Sequence, residues 1–184
     1  MSVAGPYDDD ILNSDRTIYT PGDAGVMSWV SGDVYRVAAS REDGVGRIGF
    51  IDGIVPVGGG PIAHVHKKSD ESFFVASGTI AFLSGTKTIA AEPGSFVHVP
   101  QGTLHRFKNV GDVEARLLFF FNPAGPELMF NYAGDKPAPG SAPIVWDADR
   151  FAEALDAVAH LDVDIFPHPE LDHLFRPGPG AGGV

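Results

Sequence analysis

Three histidines and one glutamate have the side-chain types and the spacing of a metal site. His64 and His66 stand two residues apart, so in a β-strand both side chains project from the same face. Glu71 follows a polar turn that returns its carboxylate beside the two imidazoles, and His105 opens a later strand after a Pro-Gln-Gly turn. Three neutral nitrogens and one carboxylate oxygen suit a single divalent transition metal and leave positions free for a substrate oxygen or dioxygen. The pattern therefore predicts a four-ligand metal centre.

Short runs of β-branched and aromatic residues must position these side chains. The runs span residues 34–38, 47–55, 62–66, 72–76, 79–83, 88–91, 96–99, 105–109 and 115–121. Turn residues separate them, and Ser84-Gly85-Thr86 has the composition of a hairpin turn. Because no helical periodicity intervenes, the pattern favours an antiparallel sandwich or barrel.

The organisation of the chain changes on both sides of this barrel, which is predicted over residues 31–125. Residues 1–30 are rich in Gly, Asp and Pro, and we expect an arm that lies across the barrel. Residues 126–162 carry helical patterns and are expected to form a C-terminal helical cap. Residues 163–184 are rich in Pro and Gly, so a mobile tail is expected there.

Two short helices are predicted in the cap. Pro126 can start the first, which would run through Met129 and Phe130. Asp147 can cap the second, from Ala148 to about residue 160. The apolar stripe of this second helix consists of Phe151, Leu155 and Val158. That stripe needs a surface to pack on, either the outer face of a sheet or the same element of a second subunit.

Composition narrows the class of protein. At 184 residues and 43% hydrophobic, the chain has room for one domain with a full core. Its 13 basic and 24 acidic side chains give a net charge of −11, which argues against nucleic acid and anionic membrane as partners. It has no cysteine, so disulfides and thiolate ligands are excluded. Since residues 1–14 lack a basic start and an apolar core, and no run of about 18 apolar residues occurs, we expect a cytoplasmic protein.

Two glycine-punctuated frames surround the predicted ligands and carry a resemblance to a known family. The frames are Gly58-x5-His64-x-His66-x4-Glu71-x6-Gly78 and Gly94-x5-Pro100-x-Gly102-x2-His105-x3-Asn109. Together they resemble the two motifs of the cupin superfamily. With the exit segment Asn122-Pro-Ala-Gly, residues 45–132 look like the single-domain quercetin 2,3-dioxygenase-like cupins of bacteria. The chain departs from that branch at Gly125-Pro126-Glu127, where Gly-Phe-Glu is usual, and at His98, where an apolar residue is more frequent.

The resemblance implies a fold and an activity. The fold would be all-β, a single cupin jelly-roll β-barrel, and such cupins exchange N-terminal arms in homodimers. His64, His66 and His105 would hold one divalent ion, with Glu71 as fourth ligand and as the general base for an enolic or phenolic proton. The ligand set does not choose among iron, manganese, nickel, cobalt, copper and zinc. The activity would be cleavage of an aromatic enol or a flavonol-like substrate by dioxygen. The same site used only as a Lewis acid would instead serve a cyclase, isomerase or decarboxylase acting on an aromatic polyketide or β-keto substrate.

Strand alternation also predicts a pocket beside the ligands. The candidate lining residues are Ile62, Phe73, Val75, His98, Phe107 and Met129. His98 can face the pocket or solvent, and the outward orientation is favoured. Alternate members of residues 117–121 face inward as well, but parity alone does not choose between odd and even positions. An apolar and aromatic lining of this kind suits a small, flat hydrophobic substrate.

Overall fold

The computed structural model describes residues 17–43 and 46–167, which form two antiparallel sheets packed as a jelly-roll barrel. The strands are β1 (Val26–Val30), β2 (Asp33–Ala39), β3 (Gly49–Val55), β4 (His64–His66), β5 (Asp70–Ser77), β6 (Ile80–Ser84), β7 (Lys87–Ala91), β8 (Phe96–Val99), β9 (His105–Asn109), β10 (Ala115–Asn122) and β11 (Val163–Ile165). One sheet has the order β1-β2-β3-β10-β5-β8, and the other has the order β11-β4-β9-β6-β7. The predicted all-β barrel is confirmed, and each predicted run overlaps one of the strands β2 to β10.

The core lies between the two sheets, where inward-facing side chains of both meet. Phe73, Phe107 and Phe119 contact one another with ring centroids 5.3–5.8 Å apart, in edge-on geometry. On β10 the odd positions are buried and the even ones are partly exposed, which settles the parity that the sequence left open. The predicted hairpin turn is confirmed as well, since β6 and β7 pair up to Ser84 and Lys87, and Gly85 has a positive φ of 58°.

Two helices follow the barrel in the described part of the chain. Helix α1 (Leu128–Ala133) begins two residues later than predicted, after a turn at Pro126 and Glu127. Helix α2 (Ala148–Val158) begins where predicted, because the Asp147 side chain accepts a hydrogen bond from the Arg150 backbone N–H at 2.8 Å. Among the described residues, no helix is long and apolar enough to cross a bilayer.

The apolar stripe of α2 packs elsewhere than expected. Ala154 and Val158 are buried against Ala133 of α1, with Met129 and Trp146 at the edge of the cluster. Phe151, Leu155 and Val158 face a cavity at an open end of the barrel and not the outer face of a sheet, which corrects the first of the two predicted surfaces. The apolar interior of the barrel and α1 both present apolar side chains at that end, and the helix removes them and its own stripe from water. Packing on a second subunit stays a prediction.

Both flanking segments contribute strands to the barrel. β1 lies within the predicted arm and pairs with β2 at the edge of one sheet, over Val26–Val30. β11 lies at the start of the predicted tail and pairs with β4 at the edge of the other sheet. Residues 163–165 are therefore an ordered strand, and this corrects the predicted boundary of the tail. Residues 1–16 of the arm and residues 168–184 of the tail lie outside the described residues.

Candidate metal centre

The four predicted ligands reach one point from both sheets. β4 shows the alternation expected of a strand with one face turned to the interior, with His64 and His66 buried and Val65 only partly so. His105 is the first residue of β9 and pairs directly with His64. Glu71 belongs to β5 in the opposite sheet and projects inward. The carboxylate thus approaches the three imidazoles across the interior of the barrel.

The donor atoms of these side chains converge. All four ligand atoms lie within 4.8 Å of one another. Glu71 Oε2 is 2.7 Å from His105 Nε2, 3.0 Å from His66 Nε2 and 3.9 Å from His64 Nε2. Two ligand atoms bound to one ion at about 2.1 Å lie roughly 3 Å apart when the angle between them is near 90–110°. The separations therefore fit a single metal ion, and no side chain needs to move far to bind it.

Backbone carbonyls fix the tautomers of two imidazoles. His64 Nδ1 donates to the carbonyl oxygen of Ile62 at 2.8 Å, and His105 Nδ1 donates to that of Thr103 at 2.9 Å. Because a carbonyl oxygen only accepts, Nδ1 of both rings carries a proton, so Nε2 is the nitrogen that can bind a metal once any proton on it has been released. Each histidine is thus oriented through its other nitrogen, as metal-binding histidines usually are.

His66 differs from the other two histidines. Its Nδ1 is buried and has no hydrogen-bond partner among the described residues. The ring packs edge-on against Phe121, with centroids 5.4 Å apart. The orientation of His66 therefore depends on packing, on the position of its own backbone and on the 3.0 Å contact of its Nε2 with Glu71, without a carbonyl oxygen at Nδ1.

The pKa values show how strongly these groups interact. Burial, assisted by the neighbouring His105 and His66, lowers the pKa of His64 to about 3, so this imidazole is neutral. Burial alone would raise the pKa of Glu71, but hydrogen bonds from His105 and His66 hold it well below its usual range. Burial also opposes protonation of His105, yet its hydrogen bond and attraction to Glu71 raise its pKa. A neutral imidazole and an ionised carboxylate are the forms that bind a divalent cation.

The metal centre opens into a cavity of about 470 Å³. His64, His66 and Glu71 are part of its wall, while His105 lies behind them and is 2% exposed. Most of the remaining wall is apolar, from the barrel interior on one side and from α1, α2 and β11 on the other. The predicted candidates Ile62, Phe107 and Met129 lie in this wall. A largely apolar cavity with polar ligands at one place is the usual form of a small-molecule site.

Three other predicted pocket residues lie elsewhere. Phe73 and Val75 share the inward face of β5 with Glu71, but they are buried in the core and are not in the cavity wall. Alternation predicts which face a side chain takes but not how deep it lies, and at that depth aromatic rings already fill the space. His98 faces outward on β8, where its Nδ1 lies 2.9 Å from the Ser72 hydroxyl. It is not a lining residue, in agreement with the favoured orientation.

The sequence analysis missed polar cavity residues on β2. Asp33 and Tyr35 lie in the wall, and the Tyr35 hydroxyl donates to Asp33 Oδ2 at 2.7 Å. Burial raises the pKa of Asp33 to about 6, against the hydrogen bond from Tyr35. Strand alternation on β2 could have identified this pair as sharing one face. Nothing in the sequence shows that this face points at the metal centre.

Comparison with known proteins agrees with this geometry. Residues 53–121, which contain all four converging side chains, match the family model described as "Cupin domain". This part of the chain is therefore similar in sequence to cupin domains. The solved structure of KdgF from Halomonas sp. superposes with a TM-score of 0.53 at 15% identity, covering 60% of this chain and 98% of that one, which shows the likeness of fold alone.

Two curated relatives carry names that describe an activity or a pathway. Quercetin 2,3-dioxygenase from Bacillus subtilis is 24% identical over 137 residues, which are 74% of this chain and 40% of that protein. Polyketide synthase CurC from Streptomyces cyaneus is 32% identical over 76 residues, which are 41% of this chain and 49% of that protein. The chain thus spans less than half the length of either relative. A cupin-like fold with a buried cluster that can hold one metal ion is typical of an enzyme.

Proposed function

We propose that this cupin domain is a metal-dependent dioxygenase that cleaves an aromatic enol or a flavonol-like substrate. The observation that carries the proposal is the convergence of three imidazoles and one carboxylate on the wall of an apolar cavity large enough for a flat organic molecule. The similarity to quercetin 2,3-dioxygenase over 74% of the chain supports the same substrate class.

The residues of the chain have distinct tasks in this reaction. When bound, a divalent transition metal supplies a Lewis acid with open positions for a substrate oxygen and dioxygen. His64, His66 and His105 would hold it through Nε2. Glu71 is ionised, so it can accept the proton of an enolic hydroxyl that reaches the centre. Its carboxylate lies within hydrogen-bond distance of two imidazole nitrogens, so it can reach a hydroxyl group bound at the centre without leaving the site.

The cavity wall positions the substrate and keeps water out. Phe107, Phe119 and Phe121 face the interior from the two sheets, and Phe151 and Leu155 of α2 close the opposite side. Flat aromatic surfaces can stack on such a wall with rings edge-on or offset. The wall contains no lysine or arginine, so within the described residues it offers no counter-charge to a sugar phosphate or a diacid. An uncharged aromatic substrate therefore fits best.

An oxygen electrode tests the proposal. The purified protein is loaded separately with iron, manganese, nickel, cobalt, copper or zinc, and quercetin and a panel of simpler aromatic enols are added. Dioxygen uptake that requires both metal and enol is expected, and Glu71→Gln serves as the control that keeps the cavity shape. If no metal supports uptake with any of these substrates, the dioxygenase proposal is wrong.

A second candidate rests on the similarity to a polyketide synthase protein. The same centre, acting only as a Lewis acid, could polarise a β-keto oxygen for cyclisation, isomerisation or decarboxylation. In that case product would form under nitrogen at the same rate as in air. The homodimer, the cytoplasmic location, and the aromatic substrate and dioxygen as partners stay predictions.

A further inference from the structure

The strand that carries His64 and His66 is held mainly from its outer side. On the inner side β4 pairs with β9 through a single residue pair, His64 with His105, and the His66 carbonyl oxygen accepts one further hydrogen bond from the Gly102 N–H at 2.8 Å. On the outer side β4 pairs along its whole length with β11, from His64 opposite Ile165 to His66 opposite Val163. β11 therefore supplies most of the backbone pairing of the strand that carries these two predicted ligands.

Backbone hydrogen bonds extend this pairing past both ends of β4. The Lys67 N–H donates to the carbonyl oxygen of Asp162 at 2.9 Å, and the Phe166 N–H donates to that of Ala63 at 2.8 Å. In an antiparallel ladder hydrogen-bonded pairs alternate, so Asp164 and Val65 form the hydrogen-bonded pair between these two. Ala63 and Lys67, which flank β4, are thus bonded to the same C-terminal segment.

Salt bridges add little to this attachment. Lys67 pairs with Asp164 at 3.0 Å and Lys68 pairs with Asp162 at 3.0 Å. The side chains are about half exposed or more, so their attraction is screened by water. The backbone ladder must therefore provide most of the restraint on β4.

Among the three histidines, the orientation of His66 depends most on how its backbone is held. Its Nδ1 has no partner among the described residues, whereas His64 and His105 are each oriented by a carbonyl oxygen. Apart from its contact with Glu71, which is itself a predicted ligand, the ring of His66 is directed at the metal centre by its packing and by the placement of its backbone. Val163 lies opposite His66, and the hydrogen bonds of the C-terminal segment go to the neighbours Val65 and Lys67, so this segment holds the backbone on both sides of His66.

The C-terminal segment that contains β11 directly follows α2, the helix that covers the cavity. α2 ends at Val158, and only residues 159–162 separate it from β11. Both elements lie outside residues 53–121, the part of the chain that matches the cupin family model. One continuous segment thus forms the roof of the cavity and the outer support of the ligand strand.

We propose that β11 is a positioning strap, which holds His64 and His66 at the metal centre by pairing with β4 and so makes metal affinity depend on the C-terminal segment. This inference rests on the metal site of the proposed function. It does not require that dioxygen be consumed.

Asp164 offers a matched pair of variants. Asp164→Pro removes the backbone N–H that pairs with Val65 and also removes the salt bridge to Lys67. Asp164→Ala removes only the salt bridge. We expect the dissociation constant for Zn²⁺, measured by competition with a chelator, to rise at least about 10-fold in the proline variant, as for other groups that orient metal ligands. The alanine variant should stay within about two-fold of the wild type, because an exposed pair contributes little.

Two further readouts separate positioning from general loss of stability. The visible spectrum of the Co²⁺-loaded protein should change in Asp164→Pro, and the Val65 and Lys67 amides should exchange with deuterium faster. Val37→Ala lowers stability from β2, far from β4 in the other sheet, and should leave the Zn²⁺ dissociation constant unchanged. If Asp164→Pro does not fold, Ile165→Gly weakens the same ladder more mildly and should give a smaller change in the same direction.

Failure of the strap inference can be distinguished from failure of the dioxygenase proposal. A Zn²⁺ dissociation constant that stays within about two-fold of the wild type in folded Asp164→Pro would overturn the inference. Equal losses in Asp164→Pro and Asp164→Ala would overturn it as well, because they would assign the effect to the salt bridge. If the variants show the expected affinities but the protein consumes no dioxygen, the strap inference stands and only the dioxygenase proposal is wrong.

Discussion

Asp33 gives a prediction about stability whose size follows from the structure. Its carboxyl group is buried in the cavity wall, where hydrogen bonding to Tyr35 and to the Gly60 backbone offsets only part of the cost of burial. Burial raises its pKa from 3.8 to about 6. Between these two values the folded protein binds more protons than the unfolded chain, so the unfolding free energy falls as the pH rises through this window. Above pH 6 the full cost of holding a buried charge is present.

The magnitude follows from the linkage relation. A shift of about two pKa units corresponds to roughly 3 kcal/mol at most, and about half of this cost accumulates before pH 5. Asp33→Asn has nearly the same shape, keeps an oxygen that can accept from Tyr35, and has no charge. The unfolding free energy of the variant relative to the wild type should therefore rise by about 1.5 kcal/mol between pH 5 and pH 8.

Urea unfolding at several pH values measures this difference, with a chelator present so that metal binding does not contribute. Asp52→Asn is the control, because pairing with Arg116 and Arg36 holds the pKa of Asp52 below its usual range. Asp52 is ionised in both states above pH 5, so its difference from the wild type should be flat over the same interval. A flat difference for Asp33→Asn would refute the reasoning, since it would show that the carboxyl pKa is not raised.

Three further predictions concern the core, a helix cap and the general base. Phe119→Ala should lower the unfolding free energy by about 3–5 kcal/mol in urea titration, while the exposed Phe96→Ala changes it by less than about 0.5 kcal/mol; equal effects would contradict the placement of the core. Asp147→Ala should cost about 1 kcal/mol in the same titration by leaving the first turn of α2 uncapped, and no change would contradict the cap. Glu71→Gln should retain part of the metal by elemental analysis and reduce dioxygen uptake at least about 100-fold, and unchanged uptake would exclude Glu71 as the base.

The sequence predicted the parts of this structure that depend on local spacing. The two-residue step from His64 to His66 places both side chains on one face of a strand, whatever the rest of the chain does. Asp147 occupies the cap of α2 because its side chain interacts with the turn that immediately follows it. Such features depend on a few consecutive residues, so they can be read without the fold.

The remaining features depend on contacts between distant segments. The apolar stripe of α2 was visible in the sequence, but its packing surface, the open end of the barrel, exists only in the folded protein. The three residues of β11 pair with β4 almost 100 positions away, and a short run with one charged residue gives no signal for that pairing. His98 shows the limit of strand parity, because nothing in β8 alone indicates which face is turned to the core.

The metal content of purified protein tests the central claim most directly. After loading and removal of free metal, elemental analysis should find about one ion per chain in the wild type and in His98→Ala, whose imidazole is exposed, and far less in His105→Ala. Metal retained at the wild-type level by His105→Ala would contradict the proposal that the four buried side chains form a single site.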